Sequence, residues 1–115
     1  MSMITLEEAK TYLRVDGTAD DSLITNLMNS AEKITEDVAR LTAVEWSAIC
    51  DESTSEMSIR GIDLLAGEII QLRSILKVGV LFALGYLYEH REEADHHELV
   101  MTLRSLLSSV REGVF

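Results

Sequence analysis

The residues best equipped for chemistry lie together near the carboxyl end: Glu89, His90, Glu92, Glu93, Asp95, His96, His97 and Glu98. Carboxylates and imidazoles in one short stretch are the materials of a metal site or an acid–base pair. A two-histidine helical metal site sets its ligands four residues apart on one face, as in HExxH, whereas His90 and His97 stand seven apart. By pattern the stretch is the solvated end of a helix, or a contact surface for a partner. A nucleophile is no better supported, because no GxSxG elbow, glycine-rich phosphate loop or GxGxxG occurs. Phe82, Tyr86 and Tyr88 have rings that can stack on bases, but at helical spacing among leucines they read as core. No catalytic, cofactor-binding or metal-ligating residue is therefore assigned, no cofactor is expected, and the chain does not read as an enzyme.

Cys50 is the only cysteine, so no disulfide framework or thiolate metal site forms within one chain, and an inert, reduced thiol of an intracellular protein is expected. The formal charge is -10. Residues 1–58 hold twelve acids against Lys10, Arg14, Lys33 and Arg40, while residues 59–115 hold eight acids against six bases. A DNA reader gathers lysine and arginine on one face to neutralise phosphates, and no such cluster stands out here. Working near DNA, this protein would repel it. The start MSMITLEEAK lacks the basic and apolar segments of a signal peptide. The uncharged run Val78–Tyr88 falls well short of the ~20 residues that span a bilayer, so a soluble chain with no membrane partner is expected.

The elements that must position these residues are helical. With no proline, 5% aromatic residues and 47% hydrophobic residues, the 115-residue chain is expected to be all-α: one domain, 1–115, a small bundle of about four to five helices. Thr5 with Glu8 fits a capping box and opens a helix from Leu6 to about Arg14, which Val15-Asp16-Gly17 ends. Leu23, Leu27, Ala31, Ile34, Val38 and Leu41 recur every three or four residues, with Ile24 and Met28 widening the stripe, and predict a second helix over about 22–41, braced by Lys33–Asp37 and Glu36–Arg40 pairs. Thr42 and Glu45 repeat the capping spacing before a short helix through Trp46 and Ile49. Cys50–Ser58 is polar and reads as the main loop. From Ile59 the stripe Ile62, Leu65, Ile69, Leu72, Leu76, Val80, Ala83 and Leu87 predicts one long buried helix, with Ser74 as the cap of a restart if a glycine breaks it. A polar link, 94–97, precedes a last amphipathic helix that ends near Arg111. Val114 and Phe115, apolar at the end of the sequence, are expected to dock rather than fray.

Taken in order, these pieces resemble the small head-tail connector, or adaptor, proteins of long-tailed bacteriophages and prophages. The matching features are ITLEEAKTYLRVD from Ile4 to Asp16, the acidic helix start DDSLI from Asp20 to Ile24, the apolar helix closing in LYEHRE from Leu76 to Glu92, and LLSSVR from Leu106 to Arg111. The absence of proline departs from the family pattern. Ala43–Arg73 does not align.

The resemblance implies a structural protein in the virion neck at the head–tail junction, free in the host cytoplasm before assembly. It implies a ring of about a dozen copies beneath the portal protein, extending the DNA channel, presenting a surface to the next head-completion or tail protein, and passing DNA without specific binding. Tyr88, Glu89, Arg91 and Glu92 carry the signature and, with Val114 and Phe115, are the candidate subunit contacts. Two other readings stay open at this point: a small acidic binding or regulatory module without a ring, and a metal-dependent enzyme built on 90–98.

Overall fold

The computed structural model describes residues 2–92 and 96–112, which form six helices and one two-stranded hairpin. Helices α1 (Leu6–Leu13) and α3 (Ala43–Cys50) both open on the expected capping boxes. The Thr5 hydroxyl accepts the Glu8 N–H at 3.1 Å while the Glu8 carboxylate accepts the Thr5 N–H at 3.1 Å, and Thr42 and Glu45 repeat the exchange at 3.1 and 2.8 Å. The end of α1 differs from expectation. Arg14, not a glycine, takes the left-handed position at φ 58°, and Gly17 follows in the turn at φ 82°. Lys10 closes that turn, donating to the Gly17 carbonyl and pairing with Asp21 at 2.8 Å.

Helix α2 (Asp21–Ala39) buries Ile24, Met28, Ala31, Thr35 and Val38. The buried face is thus centred on the Ile24–Met28 side of the expected stripe, leaving Leu23, Leu27 and Ile34 half-buried at its edge. The reason is polar: Glu32, Thr35 and Glu36 turn inward, which apolar periodicity cannot register. The Lys33–Asp37 pair forms at 3.2 Å. Glu36 pairs with Lys33 at 3.3 Å rather than with Arg40, because Arg40 leaves the helix in a left-handed cap at φ 60°.

The largest correction falls in the unaligned middle. The loop expected at 50–58 is shorter, because Met57–Ile59 is a strand, β1, paired antiparallel with β2 (Ile62–Leu64) in the register Ile59↔Ile62. Arg60 and Gly61 form the two-residue turn, both at positive φ (51° and 80°), as a type I′ connection requires. Ile62 and Leu65 therefore precede the long helix and are exposed. That helix, α4 (Ala66–Glu89), runs without a break; Ser74 sits inside it, its hydroxyl donating to the Ile70 carbonyl at 3.1 Å. Glu68 takes the Leu65 N–H at 2.8 Å, replacing half of a capping box whose other half a leucine cannot supply.

The core is α4 against α2, with α1 and α5 (His97–Leu106) packed on the pair. Ile69, Leu76, Val80, Ala83 and Leu84 on α4 are fully enclosed, as are Leu99 and Leu103 on α5. Gly79 marks where three helices converge: a β-carbon there would lie 3.2 Å from the Thr35 methyl and 3.5 Å from Leu107. The last helix divides at the buried Leu107, giving α6 (Ser108–Glu112). Taken whole, α4 is long and apolar enough to cross a membrane by length and composition, unlike its uncharged core alone. Of that apolar stretch, 39% is buried inside the subunit.

Candidate assembly surfaces

The family signature lies where α4 ends. Tyr88 is half-buried, Glu89 is the last helical residue, and Arg91 and Glu92 are exposed just beyond. The Arg91 guanidinium stands over the Tyr88 ring, 5.0 Å from its centre. On the opposite side His90 stacks on Tyr86 with ring centres 4.1 Å apart, and its Nδ1 lies 2.9 Å from the Tyr86 carbonyl. His96 meets Tyr86 edge-on at 6.1 Å. His90 is thus part of an aromatic stack and not simply a solvated helix end. Among the described residues no group of three His, Cys, Asp or Glu is placed to hold a metal ion. Val114 and Phe115, with Glu93 and Asp95, lie outside the described residues.

Tyr88 and Glu89 also border an open groove of about 460 Å³ between α4 and α1. Tyr12, Phe82 and Tyr86 supply its rings, and Arg14 its cation. Tyr12 is 48% exposed, and its ring lies where a Gly85 β-carbon would come within 3.1 Å, so the absence of a side chain at Gly85 lets α1 approach. The groove therefore joins two of the four stretches that carry the sequence resemblance, at the end of α1 and the end of α4.

A second surface is the outer face of α4. Gly67, Ile70, Gln71, Ser74, Ile75 and Val78 are exposed, and none is charged. Ile70 is 60% and Val78 54% exposed, with Leu65 beside them at 73%. Residues 70, 74 and 78 are four apart and stack along one side of the helix. On a chain of charge -10, an uncharged helical face of three turns is a surface that water does not favour.

The phage gp6-like head-tail connector protein family matches residues 3–111. The chain belongs to this family. No curated protein and no solved structure gave a match. Connector proteins of this family are structural parts of the virion neck that assemble with portal and tail proteins, not enzymes.

Several of the connector's cations brace the subunit. The Arg60 guanidinium donates to the carbonyls of Ala39 at 2.9 Å, Arg40 at 3.1 Å and Val110 at 2.8 Å, and Arg111 donates to Val38 at 2.6 Å, so two arginines close the C-terminal end of α2. Positive charge there also complements the helix dipole. Arg73 caps α3 in the same way, through the Ile49 and Asp51 carbonyls at 2.8 and 2.9 Å. Lys77 pairs with Glu8 at 3.5 Å. Lys10 is paired with Asp21, whereas Lys33 pairs with Glu36 and Asp37 at the surface, and Arg40, Arg60 and Arg104 stand close enough to Arg111 to act on its charge, so four arginines gather at the end of α2. Cys50 is half-buried beside Glu32, and burial pushes its thiol up to about 11, which keeps it unreactive.

Sequence reasoning did not find the groove's Tyr12 and Arg14, nor which side of the widely apolar α4 is left exposed. The four-residue spacing of Ile70, Ser74 and Val78 was the available signal.

Proposed function

We propose that this connector closes into a homo-oligomeric ring of about a dozen subunits below the portal, as one domain per chain, extending the DNA channel toward the next head-completion or tail protein. The observation that carries the reading is the uncharged outer face of α4, exposed in a family of assembling proteins. A ring needs one surface of each subunit to fit a different surface of the next. The α4 face is one candidate; the groove between α1 and α4, with Tyr88, Glu89, Arg91 and Glu92 at its end, is the other, and Val114 and Phe115 remain candidate contacts. A formal charge of -10 suits a channel through which DNA slides without being held.

Mass in solution by light scattering, alone and with the portal protein, tests this reading. A ring-sized species that Val78→Glu converts to folded monomers supports it. A strict monomer at high concentration that also ignores the portal overturns it in favour of a small acidic binding module.

A further inference from the structure

The arginines at the end of α2 are more than the fold consumes. Arg60 and Arg111 are held on the carbonyls of Val38, Ala39 and Arg40, and Arg60 also on that of Val110. Arg104 shares with Arg111 an open groove of about 460 Å³ between α2 and the last two helices, lined also by Ile34, Asp37, Val38 and Val100. Arg40 and Arg104 are exposed, and their side chains make no hydrogen bond or ion pair among the described residues. Asp37 is committed to Lys33 at 3.2 Å. Burial and the guanidiniums of Arg40, Arg104 and Arg60 hold Arg111 below the ordinary arginine value, with Glu112 acting against them. In a chain of charge -10, these four cations are gathered with no carboxylate paired to any of them among the described residues.

The opposite end of α2 carries the complement. Asp16 and Asp20 lie on the turn into the helix, and neither side chain has a partner among the described residues, Lys10 being taken by Asp21. Gly17, Thr18 and Ala19 between them are small and exposed. With nineteen residues, α2 sets these acids and the arginines about 28 Å apart. The two cannot meet within one subunit.

We propose that the arginine corner is an interaction surface for a second copy of this chain and receives the Asp16–Asp20 turn of the neighbouring subunit, head to tail. Guanidinium and carboxylate form charge-assisted, often bidentate bonds, and the apolar Ile34, Val38 and Val100 suit the small residues between the two acids. A contact between opposite ends of one helix joins different surfaces, as a ring requires. The turn also adjoins Arg14 of the groove between α1 and α4. Glu56 and Asp63 do not fit this geometry, since they stand at the foot of the hairpin whose tip is Arg60. DNA is the poorer occupant, because its phosphates would meet Asp37, Glu112 and a strongly acidic chain. The pairing rests on the ring reading and names two surfaces for it.

Light scattering on Arg40→Glu/Arg104→Glu, on Asp16→Arg/Asp20→Arg and on their equimolar mixture tests the pairing. Either variant alone sets like charges against each other, whereas the mixture offers opposite charges at every contact. The expected result is association weakened about tenfold or more in each variant alone, with helix content unchanged by circular dichroism, and recovered on mixing. If charge reversal lowers helix content, the neutral Arg40→Gln/Arg104→Gln is measured in its place and is expected to associate less than the native chain. Association intact in the arginine variant, no recovery in the mixture, or a DNA duplex that the native chain binds and the arginine variant does not would each overturn the proposal. A native ring insensitive to these substitutions removes this pairing alone, whereas a native monomer that ignores the portal removes the ring reading with it.

Discussion

The Arg60 guanidinium donates to the Val110 carbonyl at 2.8 Å across fifty residues, and the same side chain reaches the Ala39 and Arg40 carbonyls at the end of α2. A residue at the tip of a two-residue hairpin turn thereby fastens β1 and β2 to two helices. Its left-handed backbone, at φ 51°, costs about 1–2 kcal/mol, and the three bonds offset that.

Arg60→Ala should destabilise the subunit by about 1–3 kcal/mol and free the hairpin. Hydrogen exchange should rise at 57–64 before it rises in α2 or α4. Arg60→Lys should recover little, because one ammonium cannot reproduce the planar fork that spans three carbonyls. Unchanged exchange at the hairpin in Arg60→Ala would remove its anchoring role.

Gly79→Leu should cost about 1–3 kcal/mol by overpacking, since even a β-carbon would meet the Thr35 methyl at 3.2 Å. Gly67→Ala, where nothing lies within 4 Å, should instead stabilise by up to about 1 kcal/mol through helix propensity. Urea unfolding of both variants measures the contrast, and equal effects would mean that the packing at Gly79 is not tight.

Ile70→Lys and Val78→Glu should leave stability within about 0.5 kcal/mol, as exposed sites do, while abolishing self-association. Leu84→Asp, at a fully enclosed position on the same helix, should unfold the subunit. Sedimentation and circular dichroism on the three variants separate the outer face from the core. Self-association unchanged by both outer substitutions would place the subunit contact elsewhere.

Arg91→Glu should keep the helix content, since Arg91 lies beyond the end of α4, and should lose a cation–π contact with Tyr88 worth about 0.5–1 kcal/mol. If assembly were also untouched, the signature residue would serve the subunit alone and not its contacts.

Burial is the main influence on the Glu32 carboxyl and holds it above its ordinary value, against the partial help of the Met3 N–H. The folded state therefore keeps its proton to higher pH than the unfolded chain does. The resulting penalty is absent below the ordinary carboxylate range, grows as pH rises through it toward the raised value, and then stays constant. Glu32→Gln removes a group faced by Glu36 and Lys33 and close to Cys50. The variant should be more stable than the native chain near pH 7, with the difference shrinking toward pH 4. Thermal midpoints at the two pH values check the sign; a difference that grows on acidification would reverse it.

The sequence made the caps at Thr5 and Thr42, the apolar faces of α2 and α4 and the family resemblance legible, because each depends on residues three or four apart along one helix. The hairpin was hidden. Its Gly61 suits a type I′ turn, but the partner position holds Arg60 where asparagine or aspartate is the usual signal, and the Ile59–Ile62–Leu65 spacing also fits a helix. Only the distant carbonyls of Ala39, Arg40 and Val110 explain why an arginine occupies that turn. The split at Leu107 and the inward turn of Glu32 were hidden for the same reason, since both depend on neighbours far away in the chain.

The arginine closure of α2 also imposes an order of events during synthesis. Val38 is translated 73 residues before Arg111, and Ala39 must wait for Arg60, whose own grip includes Val110. A nascent chain can form α1, α2 and α3 as it emerges, yet the hairpin is not fully clamped until Val110 has left the ribosome. A chain that stops before Val110 lacks both Val110 and Arg111, so the clamp sets it apart from a subunit that carries them before either meets a neighbour.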